Sequence, residues 1–295
     1  MSNLLDDARK ENGSKLNRLV KYFIVPLTVL STGLMGYSAI FVKPEGDNAK
    51  MDEVQQVFYS DKVDLGERGK LSEANKDLAD FPDRLPGAGK IVKYPFNDAK
   101  HCLVHIKQIH LNEHENNIDK IKDPSVARNQ RNIYTILKSL ISIKRLNEVY
   151  SEGLTVDYKK GIENCKKGPG IENFLIDSDA QLALYASGKL ELLVAENPED
   201  FNGAAYILSE GLKAVKKGDK QKAIVLNEEL NRYQEKRENY VLELMDKQKN
   251  PLNVCVYGAA HDWKNNISEW NSKHPNDKFS LIEVYPTGLS EEVKR

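Results

Sequence analysis

A run of 21 uncharged residues extends from Tyr22 to Val42 and reads YFIVPLTVLSTGLMGYSAIFV. At 1.5 Å per residue, a helix of this length crosses the roughly 30 Å hydrocarbon layer of a bilayer. Five basic and three acidic residues precede the run, whereas residues 43–90 carry 8 basic and 11 acidic groups. The positive-inside tendency places residues 1–21 in the cytoplasm. We therefore predict a single-pass transmembrane anchor at 22–42, with the C-terminal part of the chain extracytoplasmic.

Two other interpretations of residues 22–42 remain open. A cleaved signal peptide also combines basic residues with an apolar region, but that region normally spans only about 7–15 residues. A buried helix of a soluble domain would normally show a polar stripe along one side, and this run has none. An uncleaved anchor fits the length and the flanking charges best.

The composition of the whole chain excludes several classes of protein. The 295 residues carry a formal net charge of −1, so the basic surplus of a protein that binds nucleic acid through phosphate contacts is missing. The hydrophobic fraction of 40% is sufficient for a packed core and excludes wholesale disorder. The three cysteines are Cys102, Cys165 and Cys255, and their spacing indicates neither a disulfide framework nor a metal-binding motif.

Residues 43–99 are polar, and we expect them to form a stalk or irregular lead-in with at most a short helix near residues 51–59. Regular elements are predicted from residue 100 onward. Helices are expected from Pro124, over 220–249, around Trp263, and as a pair within 178–217; strands are expected at 101–106, 148–152, 253–258 and 279–285. Strands that alternate with helices indicate an α/β fold with a largely parallel or mixed β-sheet flanked by helices.

Ionisable side chains follow three of the predicted strands. His110 follows the first strand, Glu152 ends the second and His261 follows the third. Ligands of open α/β sheets bind beyond the carboxyl ends of the strands, so these side chains are expected to converge. Arg237 lies within the apolar stripe of its helix and requires a partner, for which Glu152 is the simplest choice. Asn239 lies two residues further on and could reach the same rim.

This set of residues is compatible with two kinds of chemistry. His110, His261 and Glu152 could hold a divalent metal ion (Zn, Mn or Co) that lowers the pKa of a water molecule. Without a metal, Glu152 could act as a general base while Arg237 stabilises an oxyanion. The residues alone do not choose between them.

Four of the six histidines lie within fourteen residues, at 101, 105, 110 and 114. The segment HLNEH from His110 to His114 matches H-x-x-E-H, the inverted zincin pattern, which binds zinc only where the segment is helical. Since it directly follows a predicted strand, we regard this as a minor alternative. His105 alternates with apolar neighbours and is expected to be a half-buried strand residue. We expect His101, His114 and His274 to be exposed.

Four short segments occur in an order that resembles the Tiki/TraB/ChaN superfamily, which includes erythromycin esterase-like proteins. They are HIKQIH (105–110), VYSEGL (149–154), KRENYVLELM (236–245) and VYGAAHDW (256–263). Lys107 stands where the first motif of that family has a glycine. The resemblance covers about residues 100–286 and leaves a tail at 287–295.

The resemblance implies a site formed by residues at the carboxyl ends of the strands. Glu152, Arg237 and Asn239 would be catalytic, His110, His261 and Glu152 would bind a metal ion, and Gly258 would form the turn before His261 and contribute to cofactor binding. Members of this family include metal-dependent proteases, esterases and proteins that bind haem or iron.

The sequence therefore predicts a membrane-anchored hydrolase that acts on a peptide or ester substrate and does not bind nucleic acid. The alternative is a non-catalytic ectodomain that binds haem, a metal ion or a partner.

Overall fold

A computed structural model of the chain describes residues 73–109, 124–163 and 171–289. In chain order, the elements are α1 (Glu73–Asp80), β1 (Ala88–Tyr94), β2 (His101–Gln108), α2 (Pro124–Ser142), β3 (Glu148–Ser151), α3 (Val156–Glu163), α4 (Ile171–Leu175), α5 (Ala180–Ala186), β4 (Glu191–Val194), α6 (Pro198–Lys216), α7 (Lys220–Gln248), β5 (Leu252–Gly258), α8 (Trp263–Lys273) and β6 (Phe279–Pro286). His110, Cys165 and the predicted anchor at 22–42 lie outside the described residues.

The strands form one sheet in the order β1-β6-β2-β5-β3-β4. All neighbouring pairs are parallel except β1 and β6, which are antiparallel. Helices that connect parallel strands must cross the faces of the sheet, so both faces are covered. The structure thus confirms the prediction of an α/β fold with a mixed sheet flanked by helices.

The alternation of side chains along the strands builds a core on each face. On β2, Val104 belongs to the core formed with α1, α2 and α5, whereas Leu103 belongs to the core formed with α7 and α8. A smaller apolar cluster joins α6 to α7 through residues such as Phe201 and Leu230. The long helix α7 therefore lies between the sheet and α6, and its residues face both.

Two predictions about the elements were wrong. The lead-in expected up to residue 99 contains α1 and β1, and β1 pairs with β6 as the edge strand of the sheet. The pair of helices predicted within 178–217 is interrupted by β4, a strand of only four residues. β1 was missed because it is polar and partly exposed, as edge strands often are. β4 was missed because four residues are too short to show a period.

Among the helices of the described ranges, none is both long and apolar enough to cross a membrane.

Cys102 and Cys255 belong to the hydrophobic cores on the two faces of the sheet. Cys102 and Cys255 are both fully buried and free of disulfide bonds. Burial raises the pKa of each thiol, so both are held as neutral, unreactive side chains.

Candidate functional site

The carboxyl ends of β5, β3 and β4 lie side by side and bring a set of charged residues together. Glu152 directly follows β3, Glu196 lies two residues after β4, and His261 lies three residues after β5. The helix α7 packs across these ends and contributes Arg237 and Glu238. All five residues are at least 96% buried. We refer to Glu152, Glu196, Arg237, Glu238 and His261 as the strand-end cluster.

Arg237 bridges two carboxylates at the centre of the strand-end cluster. Its Nε and Nη2 atoms donate to Glu196 over 2.8 Å and 2.5 Å, and Nη2 also donates to Glu152 Oε1 over 3.1 Å. Burial alone lowers the pKa of a guanidinium, but Glu196 and Glu152 outweigh burial and raise the pKa of Arg237. Arg237 is therefore a permanent cation in the core, and its Nη1 atom is buried without a hydrogen-bond partner.

Glu152 is held by groups from the two strands β2 and β5. Its Oε2 atom accepts a hydrogen bond of 2.7 Å from the backbone N–H of Gly258 and one of 3.3 Å from Gln108 Nε2. Its own N–H donates to Val256 on β5 over 3.2 Å. The chain then turns at Gly153, whose φ of 80° lies in the left-handed region that favours glycine. The carboxylate is consequently fixed in position before any ligand binds.

His261 lies between two carboxylates. Its Nδ1 atom is 2.5 Å from Glu238 Oε1, and its Nε2 atom is 3.5 Å from Glu152 Oε1 without forming a hydrogen bond. Burial lowers the pKa of an imidazole, but Glu152 and Glu238 together outweigh burial and raise the pKa of His261 to about 9. The two carboxylates therefore favour the charged form of His261, whose Nε2 atom lies beside the Glu152 oxygen that Arg237 also contacts.

The other predicted site residues are Asn239, Gly258 and His110. Asn239 accepts a hydrogen bond of 3.0 Å from Asn266 on α8 and makes no hydrogen bond to the strand-end cluster. Gly258 contributes its N–H to Glu152, and His261 N–H closes the turn by donating to Gly258 over 3.2 Å. His110, the third predicted metal ligand, and the HLNEH segment lie outside the described residues.

Glu196 and Glu238 were not predicted as site residues, although both touch it directly. The sequence contained a signal for Glu196, because the apolar run LLVA ends in an acidic residue just before the Asn-Pro start of α6. That signal repeats the strand-end pattern of Glu152 but was hidden by the helical interpretation of this stretch. Glu238 gave no such signal, since its role depends on how α7 is rotated over the sheet.

A second buried ionic group lies next to the strand-end cluster. Lys107 Nζ is 2.9 Å from Glu283 Oε1 and 3.5 Å from the carbonyl oxygen of His261. Burial alone raises the pKa of Glu283, but the nearby Lys107 and Lys264 outweigh burial and lower the pKa to about 2. Lys107 therefore compensates a carboxylate in the middle of the sheet.

We expect Glu283→Gln to reduce the sensitivity of the protein to acid. A folded-state pKa of about 2 against the ordinary value of 4.5 corresponds to about 3 kcal/mol of stability, which is present above pH 4.5 and lost as the pH falls toward 2. The free energy of unfolding, measured by urea denaturation at pH 7, 4.5 and 3, should fall less with acid in Glu283→Gln than in wild type. Glu269→Gln, an exposed change on α8, is the matched control. Parallel acid profiles for all three proteins would contradict this role of Glu283.

Three metal-ligating side chains also meet at the opposite edge of the sheet. Ligand atoms of His101, Asp246 and Asp277 all lie within 4.8 Å of one another, so this group can hold a metal ion. The prediction that His101 is exposed was wrong, since it is 97% buried, whereas His274 is exposed as expected. His105 is completely buried rather than half-buried, and burial lowers its pKa.

Compared with protein-family models, curated proteins and solved structures, the chain matches none of them. The resemblance to the Tiki/TraB/ChaN superfamily therefore depends on the four short motifs alone and stays a prediction. The strand-end cluster has to be interpreted from its own geometry.

Proposed function

We propose that the chain is a hydrolase of peptide or ester bonds, with Glu152, His261 and Arg237 as its catalytic residues. The observation that carries this proposal is the position of His261. Its Nδ1 atom forms a hydrogen bond with Glu238, whereas its buried Nε2 atom has no hydrogen-bond partner and lies 3.5 Å from Glu152 Oε1. A histidine oriented by a carboxylate on one nitrogen, with the other nitrogen available to a reacting atom, is the recurrent acid–base unit of hydrolases.

Each catalytic group has a role that follows from its charge. Glu152 accepts a proton from the attacking water, whose oxygen forms a bond to the carbonyl carbon of the substrate. The unpartnered Nη1 atom of Arg237 donates to the oxygen on which negative charge develops. His261 then gives the Nε2 proton to the leaving alcohol or amine as the bond to the carbonyl carbon breaks. The products are a carboxylic acid and an alcohol or amine. Glu152 then transfers its proton to His261 Nε2, which returns both residues to their starting states.

Glu196 and Glu238 act as positioning residues in this proposal. Glu196 receives two hydrogen bonds from Arg237, which fixes the plane of the guanidinium. Glu238 fixes the ring of His261 and favours its charged form. Because the cluster is buried, these charges act in a medium of low dielectric constant, where they are stronger than in water. Substrate entry therefore requires side chains at this edge of the sheet to move.

A metal-dependent form of the same hydrolase is supported by one distance. His261 Nε2 and Glu152 Oε1 are 3.5 Å apart, close to the spacing of two ligands on one zinc ion, and Glu238 supplies the carboxylate that commonly supports a metal-bound histidine. Such an ion would activate the attacking water. Arg237 opposes it by placing a positive charge on the same oxygen of Glu152. We therefore prefer the route without a metal ion.

The alternative of a haem-binding domain is less well supported by this geometry. Haem requires apolar walls and a free axial ligand. The residues around His261 include Glu152, Glu238 and Arg237, so its surroundings are charged rather than apolar. These charges neutralise one another within the cluster. We further propose that residues 22–42 anchor the enzyme in the membrane with this domain on the extracytoplasmic side, so that its substrates are peptides or esters found there.

The test is turnover by the full-length chain of p-nitrophenyl esters and of a fluorogenic casein. We expect Glu152→Gln to lower kcat by about 10²–10⁴-fold, the usual contribution of a general base. Glu148→Gln is the matched control because Glu148 is the first residue of β3, at the opposite end of the strand that Glu152 follows. Turnover that persists in EDTA supports the metal-free route, whereas loss in EDTA with recovery in Zn²⁺, Mn²⁺ or Co²⁺ supports the metal-dependent one. Equal turnover by wild type and Glu152→Gln would contradict the proposed function.

A further inference from the structure

The edge of the sheet where β2, β5 and β6 begin carries the second group of ligating side chains. His101 is the first residue of β2, Asp246 lies in the last turn of α7, and Asp277 precedes β6. The strand-end cluster lies at the other end of the same strands. We refer to His101, Asp246 and Asp277 as the amino-edge cluster.

His101 is oriented as a metal ligand would be. Its ring packs on Phe279 with the centroids 4.9 Å apart, and its Nδ1 atom lies 3.0 Å from the carbonyl oxygen of Asn250. When Nδ1–H donates to that oxygen, the lone pair is on Nε2, as in most metal-bound histidines. The Nε2 atom is buried without a hydrogen-bond partner and lies 3.6 Å from Asp246 Oδ1. The Nε2 lone pair therefore has no hydrogen-bond donor, and a metal ion could bind it instead.

The spacing of the ligand atoms fits a small divalent ion. Two ligands on a tetrahedral zinc ion at 2.0–2.1 Å lie about 3.4 Å apart. The separation between His101 Nε2 and Asp246 Oδ1 is 3.6 Å, and all three ligand atoms lie within 4.8 Å of one another. Closing a separation of 4.8 Å to this spacing requires a side-chain movement of about 1.4 Å. One imidazole and two carboxylates suit zinc and related first-row ions better than calcium, which prefers oxygen ligands alone.

Two lysines balance the carboxylates of this cluster. Lys249 Nζ lies 2.7 Å from Asp246 and 3.6 Å from Asp277, and Lys100 Nζ lies 3.5 Å from Asp277. Both lysine side chains are more than half exposed, so they can withdraw into solvent. A divalent ion at the position of Lys249 Nζ carries a larger positive charge than the lysine. The ion would also coordinate His101 Nε2, which makes no hydrogen bond to either lysine.

We propose that the amino-edge cluster binds one zinc ion, or a similar divalent transition-metal ion, through His101 Nε2, Asp246 and Asp277, with a fourth position open to solvent. Lys249 leaves Asp246 when the ion binds. The ion joins the end of α7 to the starts of β2 and β6, three segments far apart in the sequence. Because it binds the folded state and not the unfolded chain, it raises the stability of the domain.

The test is zinc titration of the metal-stripped, full-length chain in detergent. At 100 times the Kd, the Tm of wild type should rise by about 5 to 10 °C. His101→Gln and Asp277→Asn should each lose one zinc ion per chain relative to wild type, with affinity at this site lowered by more than about 100-fold. Asp277 is partly exposed, so Asp277→Asn keeps the test valid if His101→Gln fails to fold. Lys249→Met should bind zinc about three- to fivefold more tightly, since a competing cation is removed.

His274→Gln is the matched control, because this exposed histidine lies only three residues before Asp277. It should bind as much zinc as wild type. His261→Gln should likewise retain the ion assigned to the amino-edge cluster. Equal zinc content in wild type, His101→Gln and Asp277→Asn would overturn the proposal. It would also be overturned if wild type bound no zinc, or if wild type bound one zinc ion and His261→Gln bound none. None of these outcomes depends on turnover, so the site is tested separately from the proposed hydrolase.

Discussion

Replacing Arg237 with methionine should lower the free energy of unfolding by about 3–5 kcal/mol. The change leaves Glu152 and Glu196 buried without their shared cation, and removal of one partner from a buried ion pair has a cost of this size. The methionine preserves most of the apolar stem, so lost packing contributes little. Urea denaturation of the full-length chain, followed by circular dichroism, gives the free energy of unfolding.

Arg232→Met is the matched control for Arg237→Met. Arg232 lies on the same helix but is exposed, so its replacement should change stability by less than about 0.5 kcal/mol. Combining Arg237→Met with Glu196→Gln should be less harmful than the sum of the two single changes, because the double variant buries one unpaired charge fewer. Similar losses for Arg237→Met and Arg232→Met would show that the ion pairs in the strand-end cluster do not support the fold.

Glu238→Gln should lower the pKa of His261 from about 9 toward the ordinary value of 6.5. Glutamine keeps the shape of the partner but removes the negative charge beside Nδ1, while burial continues to favour the neutral ring. The midpoint of the alkaline limb of the pH dependence of kcat should move to lower pH by a similar amount, because His261 must be protonated to act as the acid. A merely structural role for Glu238 would leave the position of that limb unchanged.

The same pKa has a consequence for stability. A folded-state pKa above the unfolded value means that the charge on His261 contributes stability that is fully present below about pH 6.5 and is lost as the pH rises through 9. Glu235→Gln, an exposed change on the same helix, is the control for Glu238→Gln and should leave both profiles as in wild type.

The sequence was sufficient to predict much of the sheet, because four of its six strands are marked by continuous apolar runs or by alternation. It also predicted that Glu152 and His261 would lie near each other, because both follow strands and the carboxyl ends of parallel strands meet at one edge of the sheet. Arg237 stood out because a charge within an apolar helical stripe must have a partner. These three inferences depend on local pattern, which the sequence displays directly.

The rest of the site depends on tertiary geometry that no local pattern encodes. Arg237 binds Glu196 with two hydrogen bonds and Glu152 with one, and the choice between them is set by where β4 enters the sheet. Glu238 meets His261 only because of the rotation of α7 about its axis. His101 was expected to be exposed, yet Asn250, which lies before β5, and Phe279, the first residue of β6, cover it.

Measurement of the pKa of His261 is the most direct test of the proposed hydrolase site. Titration of the ring C–H resonances of the metal-stripped, full-length wild type by NMR, with the signal assigned through its absence in His261→Gln, measures this pKa without requiring a substrate. The strand-end cluster predicts a midpoint near 9. A midpoint at or below 6.5 would show that Glu152 and Glu238 do not hold His261 as a charged acid, and it would contradict the proposed mechanism.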